Sequence, residues 1–155
     1  MGLSNWIMVL VTLLISLVRA NALGETIISK QDADRIFSMT KPEWETYAQK
    51  IRYPSDWEIR LSRHITGAGV MAFNPKTGYG LSVQPLYRDD KSPPEMLVVG
   101  SYYPAGVFPK FTETLKKGIE EEAKKDLGSN YSVTASYAKM PPFEGVELTV
   151  IRLKE

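Results

Sequence analysis

Few residues in this sequence have side chains that support covalent catalysis. His64 is the only histidine and the chain has no cysteine, so a Ser-His-acid triad would need His64 and a thiol nucleophile is absent. His64 has the strand parity of Glu58 and Arg60, which predicts an exposed position on a polar face. No G-x-S-x-G segment presents a nucleophilic serine. The sequence therefore predicts no catalytic residue, and a hydrolase using His64 or carboxylates ranks third among the functions we consider.

Metal chemistry has equally little support in the sequence. One histidine and no cysteine exclude the common ligand sets of structural zinc. Two carboxylate pairs, Asp32 with Asp34 and Asp89 with Asp90, lack the ligand spacing and the turn glycine of a calcium-binding loop. We interpret these pairs as a helix start and a solvated loop, and we predict no metal ligand.

One glycine-rich segment has the form of a nucleotide motif. Gly67–Ala72 matches G-x-G-x-x-A, but that motif binds a dinucleotide only where it opens a helix and aims its amides at a pyrophosphate. Val70–Phe73 has the character of a strand, and Pro75 follows directly. We therefore interpret Gly67–Gly69 as a flexible glycine-rich turn and predict no cofactor.

The segment Ser101–Phe108 is the best candidate for a binding site. Aromatic rings at a strand-to-helix junction, with Gly106 for backbone freedom, are able to wall a pocket for a sugar or an apolar ligand. The ring faces supply contact area and the phenols supply orientation. The candidate ligand-binding residues are Tyr102, Tyr103, Phe108 and Trp57. The alternative is that Tyr103 and Phe108 only close one end of the core.

Three helices are predicted around this segment. The first opens at Ser29, with Ala33, Ile36 and Phe37 at helical spacing. The second begins at Thr40, where Pro42 and Glu43 complete a capping box. The third covers 108–127 and ends at Gly128, a residue type that favours a helix C-terminus.

The strands follow from alternating or continuous apolar runs. Met96–Tyr103 is apolar at both parities, which predicts a central strand covered on both faces. The other strand segments are Trp57–Leu61, the hairpin of Val70–Phe73 with Tyr79–Tyr87, Tyr131–Tyr137, and Val146–Val150 with Gly145 at the end of the preceding connection. We predict an α+β fold with a mainly antiparallel sheet of about five to seven strands covered by helices.

The N-terminus resembles a secretory signal peptide. Trp6–Val18 is almost entirely apolar, and the small residues Ala20 and Ala22 occupy positions −3 and −1 of a cleavage site after Ala22. The apolar run is shorter than the ~20 residues of a membrane span, although the absence of Lys and Arg from residues 1–5 leaves an uncleaved anchor as the alternative. The predicted organisation is a signal peptide over 1–22 and one α+β domain over 23–155.

The composition indicates in which compartment the protein works and which kinds of partner it is able to bind. The 19 basic and 18 acidic residues balance once Arg19 is removed with the leader, so the domain lacks the charge excess that binds nucleic acid or anionic lipid. An exported chain without cysteine fits a bacterial envelope better than a disulfide-rich secreted scaffold. We expect a secreted or periplasmic protein with an envelope protein partner, a small molecule as a possible ligand, no nucleic acid, and no membrane span after cleavage.

A short motif adds a family resemblance. Tyr53-Pro54-Ser55-Asp56-Trp57, leading into an alternating strand, resembles the PsbP-like family and envelope proteins of the DcrB type, and the order of elements over 51–153 is similar. The resemblance implies an α/β/α sandwich that is mostly non-catalytic and often bound to larger partners. The function that we expect is an exported interaction domain at the cell envelope, with a small-ligand-binding protein as the alternative.

Export is testable on material from the native host. We expect intact-mass analysis of the envelope or secreted fraction to give a chain that begins at Leu23, because the small residues before this position fit signal peptidase. A chain that retains Met1 and is recovered among cytosolic proteins would contradict both cleavage and export.

Overall fold

The computed structural model describes residues 28–51, 55–64 and 67–154 of the 155-residue chain. The predicted signal peptide and the Tyr53-Pro54 part of the family motif lie outside the described residues. In chain order the elements are α1 (Lys30–Ile36), α2 (Lys41–Lys50), β1 (Glu58–His64), β2 (Gly67–Phe73), β3 (Gly80–Leu86), β4 (Met96–Pro104), α3 (Glu113–Leu127), β5 (Tyr131–Met140) and β6 (Phe143–Arg152).

The six strands form one antiparallel sheet, in the order β1-β2-β3-β4-β6-β5. This confirms the predicted α+β class and the predicted central position of β4. Helix α3 carries the chain from β4 past the next sheet position to β5, and β6 then returns between them. The edge strands of the described sheet are β1 and β5. Among the described residues, no helix has the length and apolar character that crossing a membrane requires.

The core lies on one face of this sheet. Leu97 and Val99 of β4 stand opposite Val150 and Leu148 of β6, and all four are fully buried. The same cluster includes residues of all three described helices, namely Ala33, Ile36, Trp44, Ala48, Ala123 and Leu127. The helices therefore cover this face, which we call the helix face, and the opposite face has no helix over it in the described part of the chain. The α/β/α arrangement that the resemblance implies stays a prediction.

Side-chain caps determine where the helices begin. Ser29 Oγ accepts from the amide of Asp32 at 3.2 Å at the start of α1, and Glu43 Oε2 accepts from the amide of Thr40 at 2.7 Å in the predicted capping box of α2. Thr112 Oγ1 accepts from the amide of Leu115 at 3.1 Å, so α3 begins at Glu113.

The predicted start of α3 at Phe108 is therefore wrong by five residues. Proline disfavours helical geometry in the residue before it, and Pro109 follows Phe108. Residues 105–112 form a connection in which Gly106 takes a φ of +86°, the backbone freedom that was expected of this glycine. The helix end was predicted correctly, since Gly128 terminates α3 with a φ of +87°.

The interpretation of Gly67–Gly69 as a turn is also wrong. These residues open β2, in register with His64, Arg63 and Ser62 of β1. The alternation of Ile59 and Leu61 with polar residues predicts a strand with one buried face. That predicted burial is wrong as well, because Ile59 and Leu61 are 46% and 53% exposed. They point to the helix face, but β1 is the edge strand and α2 packs over β2 instead.

Gly145 does not end a connection, as the sequence suggested, but lies inside β6. Its Cα faces the backbone of β4 so closely that an added Cβ would stand 1.9 Å from the carbonyl oxygen of Ser101. Backbone cannot yield like the end of a flexible side chain. Gly145 is thus required for the contact between the two central strands.

Two glycine substitutions test this constraint. We expect Gly145→Ala to lower the free energy of unfolding by about 3 kcal/mol or more, because β4 and β6 must separate. Gly118→Ala is the matched control: it adds the same methyl group inside α3, where nothing lies within 4 Å, and should stabilise the protein by about 0.5–1 kcal/mol. Urea unfolding of both variants measures these changes in the free energy of unfolding. Equal stability of Gly145→Ala and the wild type would contradict the proposed contact.

Candidate functional site

Five aromatic rings meet where β4 ends, and we call them the junction cluster. Tyr103 contacts Tyr79 edge-on at 5.4 Å between ring centroids and Phe108 at 5.2 Å. Phe108 and Phe111 each contact Tyr137, at 6.2 and 6.0 Å. The cluster continues the core outward, because Phe108 and Phe111 also pack against the buried residues beneath the helices.

Three separate parts of the chain position these rings. Tyr79 directly precedes β3, and Tyr103 lies in the adjacent strand β4. Phe108 and Phe111 come from the connection to α3, and Tyr137 comes from the edge strand β5. Since β6 lies between β4 and β5, its side chains are able to contact both the rings near the end of β4 and Tyr137 on β5.

Glu144 of β6 makes this connection. Its Oε2 accepts from the Tyr137 hydroxyl at 2.6 Å, and its Oε1 accepts from the amide of Gly106 at 3.1 Å. One carboxylate therefore holds both the outermost ring and the turn that leads to Phe108. Hydrogen bonds to an ionised acceptor are among the stronger ones.

Burial decreases outward across the cluster. Tyr103 is 8% exposed, Phe108 and Phe111 are half-buried, and Tyr137 and the neighbouring Val107 are 42% and 58% exposed. We call the outer four residues, Val107, Phe108, Phe111 and Tyr137, the junction patch. It is an apolar surface on a base of packed rings.

The protonation states suit this arrangement at neutral pH. Burial raises the pKa of Tyr103 to about 12. The hydrogen bond from Tyr137, followed by that from the Gly106 amide, lowers the pKa of Glu144, and the same carboxylate raises the pKa of Tyr137. Tyr137 is therefore the proton donor and Glu144 the charged acceptor.

Tyr102 points to the opposite face of the sheet from Tyr103, so the two do not line one pocket. Its ring lies over Gly100, where an added Cβ would be 2.4 Å from the Tyr102 hydroxyl oxygen. Gly100 pairs with Ser82 on one side and Glu147 on the other. The missing side chain leaves room for the phenol, which is only 3% exposed although no described helix covers it.

The polar partners of Tyr102 form a hydrogen-bonded chain rather than a catalytic triad. The Tyr102 hydroxyl donates to Glu147 Oε1 at 2.6 Å and lies 3.1 Å from Ser82 Oγ. Burial and the hydrogen bond to Glu147 both raise the pKa of Tyr102. Because this phenol keeps its proton and directs it at Glu147, it cannot act as the base for Ser82.

The remaining residues that were singled out lie apart from the junction cluster. Trp57 precedes β1 and packs against the core, and none of the ring contacts within the described residues joins it to the cluster. Sequence patterns did not predict four residues of the site, namely Tyr79, Phe111, Tyr137 and Glu144. Alternation did place Tyr137 in a strand, but it could not show that β6 would bring Glu144 beside it.

The carboxylate pairs have structural partners. Asp34 accepts from Lys30 Nζ at 2.6 Å and from the Tyr131 hydroxyl, and Lys30 is the main cause of its lowered pKa. Asp89 closes a turn by accepting from the amides of Lys91 and Ser92 at 2.8 and 2.7 Å. Within the described ranges, no group of three His, Cys, Asp or Glu residues could hold a metal ion. The side chain of His64 is outside the described residues.

A shallow pocket of about 360 Å³ lies at the opposite end of β5 from Tyr137. It is lined by Lys124, Gly128, Ser129, Tyr131, Ser132 and Leu153. None of the candidate ligand-binding residues belongs to it.

Comparison with known proteins found no matching family model, no similar curated protein and no similar solved structure. The class that the described residues define is an α+β domain, in which they form one antiparallel sheet with three helices over one face.

The role of Glu144 is testable through the pH dependence of stability. Its pKa is lower in the folded than in the unfolded state, so its charge stabilises the fold above the ordinary pKa of about 4.3 and this contribution is lost at lower pH. We expect the stability difference between wild type and Glu144→Gln to be largest near neutral pH and to shrink in acid.

Urea unfolding over a pH series measures this difference. Glu121→Gln, on an exposed position of α3, is the control for the loss of one surface carboxylate. A constant difference for Glu144→Gln would contradict the assigned role.

Proposed function

We propose that the protein is an exported, non-catalytic interaction domain of the cell envelope, which binds a partner protein through the junction patch. The observation that carries the proposal is the patch itself: Val107 and Tyr137 are exposed above the half-buried rings of Phe108 and Phe111. Isolated exposed apolar residues need no explanation, but a group of them indicates an interaction surface.

The composition and rigidity of the patch support a protein partner. Aromatic residues are enriched at the energetic centres of protein interfaces. Tyr137 is held by Glu144 at 2.6 Å and by two ring contacts, so it loses little conformational freedom on binding. Pre-ordering of this kind favours association, since immobilising a mobile side chain costs free energy.

The polar groups of the described residues also favour binding over catalysis. Asp34, Asp89, Glu144 and Glu147 are all engaged in hydrogen bonds that hold elements or turns together. A general base needs a free acceptor aimed at a substrate proton. The resemblance to the PsbP-like family and the predicted leader support the envelope location and the non-catalytic role.

A small-ligand-binding protein is the second candidate. The specific observation in its favour is that the Tyr137 hydroxyl and the Glu144 carboxylate lie beside partly exposed ring faces, a combination of stacking surface and polar groups that suits a sugar. Tyr137→Ala would remove a ligand-induced thermal shift. Tyr103→Ala is unsuitable for this test, because truncating a buried aromatic ring costs about 3–5 kcal/mol of stability.

A photo-crosslinking amino acid placed at Val107 tests the main proposal in the native host. We expect a single adduct with one protein, because the side chain is exposed on the patch. Adding Tyr137→Ala to the same chain should reduce the adduct about tenfold, as removal of an interface hot spot does.

The same crosslinker at Glu121, on the exposed side of α3, is the control and should give no such adduct. Equal adducts at Val107 and Glu121, or no protein adduct at Val107, would contradict the proposed docking surface. A thermal shift with a sugar but no protein adduct would favour the second candidate.

A further inference from the structure

Strand β1 is an edge of the described sheet, with exposed apolar side chains. Its one neighbour in the sheet is β2, so alternate backbone N–H and C=O groups on its outer side lack a strand partner. Edge strands of this kind pair readily with another chain. The exposed Ile59 and Leu61, at 46% and 53%, add apolar surface that a second strand would cover.

The sequence around Ile59 is complementary to itself in the antiparallel direction. Residues 57–61 read Trp-Glu-Ile-Arg-Leu. When two copies pair about Ile59, that residue faces itself, Glu58 faces Arg60 of the other copy, and Trp57 faces Leu61. Directly opposite residues point to the same side of the sheet, so both ion pairs lie on the face without helices and the apolar pairs lie on the helix face.

We propose that two copies of this chain associate through β1, antiparallel and centred on Ile59, so that their sheets become continuous. The contact is isologous, as expected of a two-fold dimer. It uses a surface separate from the junction patch, which stays accessible in the dimer.

The charges distinguish this register from its neighbours. Centring the pair on Arg60 would place two arginines directly opposite each other, and like charges in that position are destabilising. Centring it on Leu61 would place Ile59 opposite Arg63 and leave Arg60 without an acidic partner. Centring it on Glu58 would pair Asp56 with Arg60 but place two glutamates opposite each other. Of these four registers, only the one centred on Ile59 gives two opposite-charge pairs and no like-charge pair.

The side chains of β1 are available for this pairing. Glu58 and Arg60 are both exposed. The Arg60 guanidinium lies 5.2 Å from the ring centroid of Phe73, which holds it on the face where Glu58 of the second copy would lie. Charged residues often protect an edge strand from pairing, but here their order makes them complementary.

Cysteine substitutions test the register directly, because the chain has no cysteine of its own. Opposite residues of antiparallel strands have Cα atoms about 4.5–5.5 Å apart, which is within the range for a disulfide. We expect Ile59→Cys to form a covalent dimer under mild oxidation. Leu61→Cys is the matched control and should stay monomeric, because the two copies of position 61 would be four residues apart along the strand.

Charge reversal gives a second, independent test in solution. Glu58→Arg and Arg60→Glu should each be monomeric by light scattering, since each places like charges opposite one another. Mixing the two variants should restore a dimer, because every pair between them is then of opposite sign. The double variant with both changes should dimerise by itself.

Thermal unfolding of each variant monitors the fold, and Glu121→Lys is the control for a change of surface charge. A wild type that stays monomeric over a concentration series, or equal crosslinking of the cysteines at 59 and 61, would overturn the proposal. So would failure of the mixed variants to associate. The junction-patch crosslinking experiment is unaffected by any of these results.

Discussion

The pairing of β4 with β6 is the constraint on which the rest of the structure depends. Leu97 and Val99 face Val150 and Leu148 with no solvent exposure, and the two backbones approach so closely at Gly145 that no side chain fits. Burial of large aliphatic side chains is the main favourable contribution to folding. Because this pairing also separates β4 from β5, it determines which side chains meet on both faces of the sheet.

On the helix face, the pairing places Glu144 between the end of β4 and the edge strand β5. From there its carboxylate holds the Tyr137 hydroxyl and the Gly106 amide together. On the other face, the same strand places Glu147 beside Gly100, where it accepts from Tyr102. Two acidic residues three positions apart in β6 thus organise the aromatic side chains on opposite sides of the sheet.

These contacts are the basis of the binding function that we propose. An active site keeps reactive groups free and poised. Four carboxylates are instead engaged with amides, phenols or a lysine, namely Asp34, Asp89, Glu144 and Glu147. Apolar side chains are exposed in the junction patch at one end of the sheet, and at Ile59 and Leu61 on its edge. These are the two surfaces through which we propose that the protein contacts other chains.

Local patterns were sufficient to predict most elements. The capping box at Thr40, the terminating Gly128 and the alternation in β5 each depend on residues close in sequence, and the double apolar parity of β4 correctly predicted its central position. The start of α3 was misplaced because Phe108 and Phe111 continue the apolar spacing of the helix into the preceding connection. For the candidate site, Tyr103 and Phe108 were identified and do contact each other, but Tyr102 and Trp57 lie elsewhere.

The sequence alone determined the α+β class, the helix caps and the aromatic character of the junction, because these depend on spacing and on residue type. Only the tertiary structure decided that β6 lies between β4 and β5. It also decided that Tyr102 and Tyr103 lie on opposite faces of the sheet, and that Glu144 accepts a hydrogen bond from Tyr137. Strand order and register arise from contacts between residues far apart in the chain, whose combined burial decides among many pairings that local patterns leave equally possible.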